Sequence, residues 1–171
     1  DYLKILSHTK DLLKAAEQAG NWNDASYVIL YCIQGRKILF CGDADMGTIN
    51  HLMAHHRADI ANLDVLIAPH HGRDSNKDFS FLDVMKPKLT LVGNAKSKDL
   101  AYDKWDNRKL EHIQNNQAGN ILIDIRNGEM HVDCSNRRYA DEYNKKYFEK
   151  DSAPQSFNAG YWCLFYRKAG V

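Results

Sequence analysis

The chain has 171 residues, with 44% apolar and 26% charged side chains and a formal net charge of +1. That is the composition of an ordinary globular chain able to bury one core, and it excludes a disordered or fibrous protein. The balanced charge excludes a global attraction to nucleic acid, though not a local basic rim, and no apolar run approaches the ~20 residues that span a bilayer.

Ser7 or Thr9 can cap a helix that runs through Leu12, Leu13, Ala16 and Ala19 and stops at Gly20. A polar stretch, Asn21 to Asp24, leads into a β-branched and aromatic run over residues 26–33. Gln34-Gly35 turns the chain into a second run over 37–41, so the pair reads as a β-hairpin. Both runs are nearly continuously apolar, as strands covered on both faces are. A helix over about 46–57 and a short strand over 64–68 follow, broken by Pro69-His70-His71-Gly72. Next come a loop, a short helix over 79–85, a strand over 89–93 and a helix over about 104–115. Asn127-Gly128, between runs at 120–125 and 129–134, is a strong hairpin signal. The tail reads as a charged helix over 137–150, a Pro-containing loop and a last strand over 161–166. Strands alternating with helices indicate α/β.

The four cysteines, Cys32, Cys41, Cys134 and Cys163, lie far apart in apolar, strand-like contexts. A disulfide framework or a Cys-rich zinc site needs paired spacing, so they read as reduced small hydrophobes of a cytoplasmic protein.

Two breaks place metal-capable side chains directly after buried strands: Cys41-Gly42-Asp43-Ala44-Asp45 and Pro69-His70-His71-Gly72. The helix between them makes a β-α-β crossover, which keeps the strands parallel and sets both carboxyl ends at one sheet edge. Neighbouring strands lie about 4.8 Å apart, so the Asp43 carboxylate and the imidazole of His70 or His71 could reach one ion. Gly-Asp after a strand is a common turn; His-His-Gly is rarer, and two adjacent imidazoles at a sheet edge have little structural use.

In the order Lys37-Ile-Leu-Phe-Cys-Gly-Asp43, then Leu63-Asp-Val-Leu-Ile-Ala-Pro-His-His-Gly72 with Ser75-Asn76, the sequence resembles the later part of a metallo-β-lactamase-fold hydrolase. It is most similar to the branch typified by the hydrolase domain of the competence protein ComEC. The strands at 87–93 and 119–124 fit the same order, and the resemblance covers about residues 7–132. It implies the second half of an αββα sandwich over residues 1–134, a mixed sheet with flanking helices, with residues 135–171 as a tail segment packed on it. It also implies two divalent metal ions, zinc or manganese, bridged by Asp43 and held by His70 and His71. The reaction implied is hydrolysis of a phosphodiester, DNA or RNA included, by a metal-bridging hydroxide, with Asp43 and His71 as the catalytic pair. Arg73, Ser75 and Asn76, with Asn94 and Lys96 after the next strand, would rim the site and bind phosphate. Arg73 departs from the commoner Ser of this family.

The family's main ligand motif, His-x-His-x-Asp-His, is absent. The chain is therefore expected to be a carboxyl-terminal half whose site is completed by an upstream segment, with Asp1 as a cut, or by a companion chain. The alternatives are a binding or assembly protein that keeps the fold without catalysis, and a hydrolase of a small phosphodiester, thioester or lactone. His51 and His55 have i, i+4 spacing on a predicted helix, which can hold zinc, but they follow Asp43 and cannot replace the lost motif. Arg137, Arg138, Lys145 and Lys146 with Tyr139, Tyr143 and Tyr147 form either a single-strand nucleic-acid surface or a packing stripe.

Overall fold

The computed structural model describes residues 1–74, 78–93, 95–147 and 155–168. Contacts divide the chain into two units, Asp1–Cys32 with Lys37–Ile113, and Ile33–Arg36 with Gln114–Val171.

The first unit begins with β1 (Tyr2–Ser7), a strand that sequence reading leaves unassigned, paired antiparallel with β2 (Val28–Ile33). Between them runs α1 (Lys10–Ala19). Thr9 caps it by accepting a hydrogen bond from the Leu12 amide at 3.2 Å, and Gly20 ends it at φ 63°, a left-handed conformation that glycine adopts freely. The chain then runs through β3 (Arg36–Phe40), α2 (Met46–His55), α3 (Arg57–Ile60), β4 (Val65–Ile67), α4 (Phe81–Met85), β5 (Leu89–Val92), α5 (Tyr102–Asp106) and β6 (His112–Gln114). The six strands form one mixed sheet in the order β1-β2-β3-β4-β5-β6, with β3, β4 and β5 parallel. The expected α/β class, a mixed sheet flanked by helices, is what forms.

The helix expected over 104–115 is cut short. α5 ends at Asp106, Lys109 takes a left-handed φ of 56°, and the chain re-enters the sheet, where the Thr90 amide donates to the Glu111 carbonyl at 2.9 Å. Pairing with β5 outweighs a helix propensity that is worth only tenths of a kcal/mol per residue.

The two faces of this sheet differ. Ile49, Leu52, Ile60, Leu82 and Trp105 from the helices join Leu30, Leu39 and Leu66 in one buried cluster. Side chains alternate along a strand, so Phe40, paired with Ile67, and Leu3 and Ile5, paired with Tyr31 and Ile29, point to the opposite face. There Phe40 is 41%, Ile5 57% and Leu3 61% exposed.

In the second unit, α6 (Asn115–Ala118) precedes β7 (Ile121–Arg126), β8 (Glu129–Cys134), α7 (Arg137–Tyr147) and β9 (Trp162–Arg167), and the three strands form an antiparallel sheet. Asn127 at φ 52° and Gly128 at φ 78° make the hairpin turn that the Asn-Gly pair signals. Arg36, 4% exposed, belongs to this unit and donates through Nε and Nη2 to the Gly128 carbonyl at 3.1 and 2.9 Å. On α7, Tyr143 is buried, and Tyr139, half-buried with its ring 6.0 Å from that of Tyr143, accepts from the Gln114 amide at 3.2 Å, as members of a packing stripe do. Arg137 and Arg138 face Asp141 and Glu142 one turn on. Among the described residues no helix is long and apolar enough to cross a membrane.

Candidate functional site

The crossover β3–α2–β4 brings the two breaks together. Phe40 is in register with Ile67, so the residues that follow each strand leave the sheet at the same edge. The His70 amide donates to the Gly42 carbonyl at 2.9 Å and ties the loops to one another. His71 then reaches Asp43, with Nε2 3.3 Å from Oδ1 and both side chains about half exposed (49% and 52%). His70 is half-buried, its ring centroid 6.4 Å from that of His71.

Adjacent side chains diverge on an extended chain, but this segment is not extended. His70, His71 and Gly72 have φ of 49°, 59° and 76°, three left-handed residues in a row. For a non-glycine residue that conformation costs on the order of 1 kcal/mol or more, so the surrounding structure must impose it. Part of the imposition comes from β5: the Gly93 amide donates to the His71 carbonyl at 3.0 Å. A Cβ on Gly93 would lie 2.5 Å from His71 Nδ1 and 3.0 Å from its Cα, so only glycine fits there.

The other loop is anchored through α2. Asp45 caps the helix, and Asp24 reaches its first turn to accept from the Gly47 and Thr48 amides at 3.2 and 2.8 Å. Carboxylates at a helix N-terminus satisfy its free amides and complement its dipole. The Asn21 side-chain amide donates to both carboxylates, at 3.2 and 3.3 Å. Gly93 and Asp24 lie in runs that fit the resemblance, but nothing in the sequence marks either as a site residue; their roles arise from contacts with distant segments.

Of the residues expected to rim the site, Arg73 follows the histidines and pairs with Asp99 at 3.6 Å, on a loop zipped to its own by the Arg73–Leu100 bridge and the Asp74 amide to Asp99 carbonyl bond. Lys96 is exposed on that same loop, its carbonyl accepting from the Asp99 amide at 2.8 Å. Ser75, Asn76 and Asn94 lie outside the described residues. On α2, the rings of His51 and His55 lie tilted to one another with centroids 4.7 Å apart; His51 is half-buried, and burial with the charges of His55 and His56 holds its pKa below the ordinary value.

A second group lies in the other unit. His131 and Asp133 on β8 and Cys163 on β9 are buried, with donor atoms all within 4.8 Å of one another, so the group could hold one metal ion. His131 and Asp133 are two residues apart and share a face. Cys163 joins them through a bulge. Val132 pairs with Phe165 but Asp133 pairs with Cys163, and the extra residue, Leu164, turns Cys163 onto the face of Asp133. Burial, then the charge of Asp133, pushes the Cys163 thiol up to about 12. Burial also lowers the His131 pKa, against the pull of Asp133, Glu129 and Asp124. In the sequence Cys163 reads only as a small hydrophobe. The available signal was His131-x-Asp133 at strand period, but Cys163 could not be paired with it without the bulge.

No family model matches this chain, and none of the curated proteins does.

Proposed function

We propose that this chain carries the carboxyl-terminal half of a metallo-β-lactamase-fold hydrolase that cleaves phosphodiesters at a binuclear metal centre. The observation that carries the reading is the His71–Asp43 contact of 3.3 Å at a shared strand edge. An imidazole nitrogen and a carboxylate oxygen bound to one tetrahedral zinc sit about 3.4 Å apart, given bonds of about 2.0–2.2 Å, so the donors fit an ion without moving far. Their half exposure suits a site that must admit substrate.

In this reading Asp43, His70 and His71 would hold the metal ions, and the remaining ligands would come from a segment or chain outside these 171 residues. The ions would supply Lewis acidity and a hydroxide at neutral pH. The chain's own part is positioning: left-handed backbone aims the imidazoles, Gly93 leaves room for His71, and Asp24 holds the start of α2 beside the Asp43 loop. Arg73 and Lys96 would supply cations for phosphate oxygens. The apolar face bearing Leu3, Ile5 and Phe40 supports a companion, because a second sheet packed there would complete an αββα sandwich.

The test is hydrolysis of bis(p-nitrophenyl) phosphate and of DNA by the polypeptide or complex that supplies His-x-His-x-Asp-His, with Zn²⁺ or Mn²⁺ added. Asp43→Ala and His71→Ala should each abolish metal-dependent turnover and leave the unfolding midpoint near wild type. Full activity in both folded variants would overturn the proposal.

A further inference from the structure

We propose that His131, Asp133 and Cys163 form a second, mononuclear zinc site, distinct from the Asp43–His71 edge, that ties β9 to β8. It stands on residues of the second unit alone and does not rest on the hydrolase reading.

The donor set comes first. An imidazole, a carboxylate and a thiol are a mixed N, O and S set that suits Zn²⁺ and does not suit Mg²⁺ or Ca²⁺, which take oxygen shells. Cys163 Sγ lies 3.9 Å from His131 Nδ1, and a tetrahedral zinc with bonds of about 2.3 and 2.0 Å sets that edge at about 3.5 Å. A few tenths of an ångström of closure would complete it.

Burial gives the second, independent observation. Asp133 is 0% exposed; its Oδ2 accepts from the Ser156 hydroxyl, while its buried Oδ1 meets no ordinary N–H or O–H donor, and the weak Cys163 thiol is the other group that bears on this carboxylate. A carboxylate oxygen left unpaired away from water is costly, and a cation beside it removes that cost. His131 and Cys163 are each 3% exposed on the same face. The His131 ring packs on Phe157 at 3.8 Å and edge-on against Tyr166 at 4.6 Å, which fixes its plane.

The bulge gives the third. Regular pairing would set Leu164 opposite Asp133 and turn Cys163 away; the inserted residue brings the thiol round at a cost to the ladder. A bond from each strand to one ion would hold that register. The burial of all three donors points to a structural ion rather than a substrate-binding one.

The experiment uses the whole chain, stripped of metal and titrated with Co²⁺ and then Zn²⁺. One equivalent of Co²⁺ should bind with a thiolate-to-metal charge-transfer absorption and the d–d bands of a tetrahedral ion, and Zn²⁺ should displace it and raise the melting temperature. Cys163→Ser should remove the charge-transfer band, whereas the double variant Asp43→Ala, His71→Ala should keep it. Absence of the band in the wild type, its persistence in Cys163→Ser or its loss in the double variant would each overturn the site. Should Cys163→Ser fail to fold, zinc X-ray absorption on the wild type decides. One sulfur with nitrogen and oxygen neighbours supports the proposal; none, or more than one, refutes it.

Discussion

Gly93 closes directly against His71: a Cβ on Gly93 would stand 2.5 Å from the imidazole Nδ1 and 2.8 Å from the His71 Cβ. The end of β5 therefore dictates where the imidazole of the β4 loop can stand. Gly93→Ala must push His71 away from Asp43, and because backbone as well as ring is in the way, the shift is not absorbed by a rotamer. The expected cost is about 1–3 kcal/mol of stability, the usual range for overpacking. Urea unfolding of the variant checks it, and an unchanged midpoint would show that the loop makes room.

The cap on α2 comes from a distant carboxylate, which makes it separable from the helix's own sequence. Asp24→Ala removes the acceptor for the Gly47 and Thr48 amides and should destabilise the chain by about 1 kcal/mol, while Asp24→Asn keeps an oxygen and loses less. Equal unfolding midpoints for the two variants would contradict a capping role.

Deep in the core, the Trp105 indole N–H donates to the Thr90 hydroxyl at 2.9 Å, with both residues fully buried. Thr90→Val preserves the shape and strands the donor, so a loss of about 1–3 kcal/mol is expected. Thr90→Ser, which restores the acceptor, should recover part of it; thermal melts of the three proteins make the comparison.

Acid sensitivity has a contributor in Asp59, one of several carboxyls held below their ordinary value. Lys4, 2.7 Å away, is the main cause that holds its carboxyl below the usual range, with His56 adding to it. A carboxylate depressed in the folded state contributes stability that is present above its unfolded value of about 3.9 and is lost as pH falls through the lower folded value. The pair is partly exposed, so the effect is a few tenths of a kcal/mol. Lys4→Met should reduce, by those few tenths, the difference between stability at pH 5 and at pH 3; a variant with the wild-type slope would remove Lys4 as the cause.

Much of the architecture was legible from local pattern. The α1 cap and its Gly20 stop, the Asn127-Gly128 turn and the helix and strand runs of the β3–α2–β4 crossover follow from neighbouring residues, because capping, turn conformation and hydrophobic period act over a few positions. Tertiary structure alone decided the rest. The segment after Asp106 turned from helix to strand because β5 offered amides to pair with. His70 and His71 became left-handed, and Gly93 became indispensable, because loops from three strands converge at one edge. Cys163 came to face His131 and Asp133 only through the bulge at Leu164. Register and bulges depend on partners far along the chain, and no short window of sequence contains them.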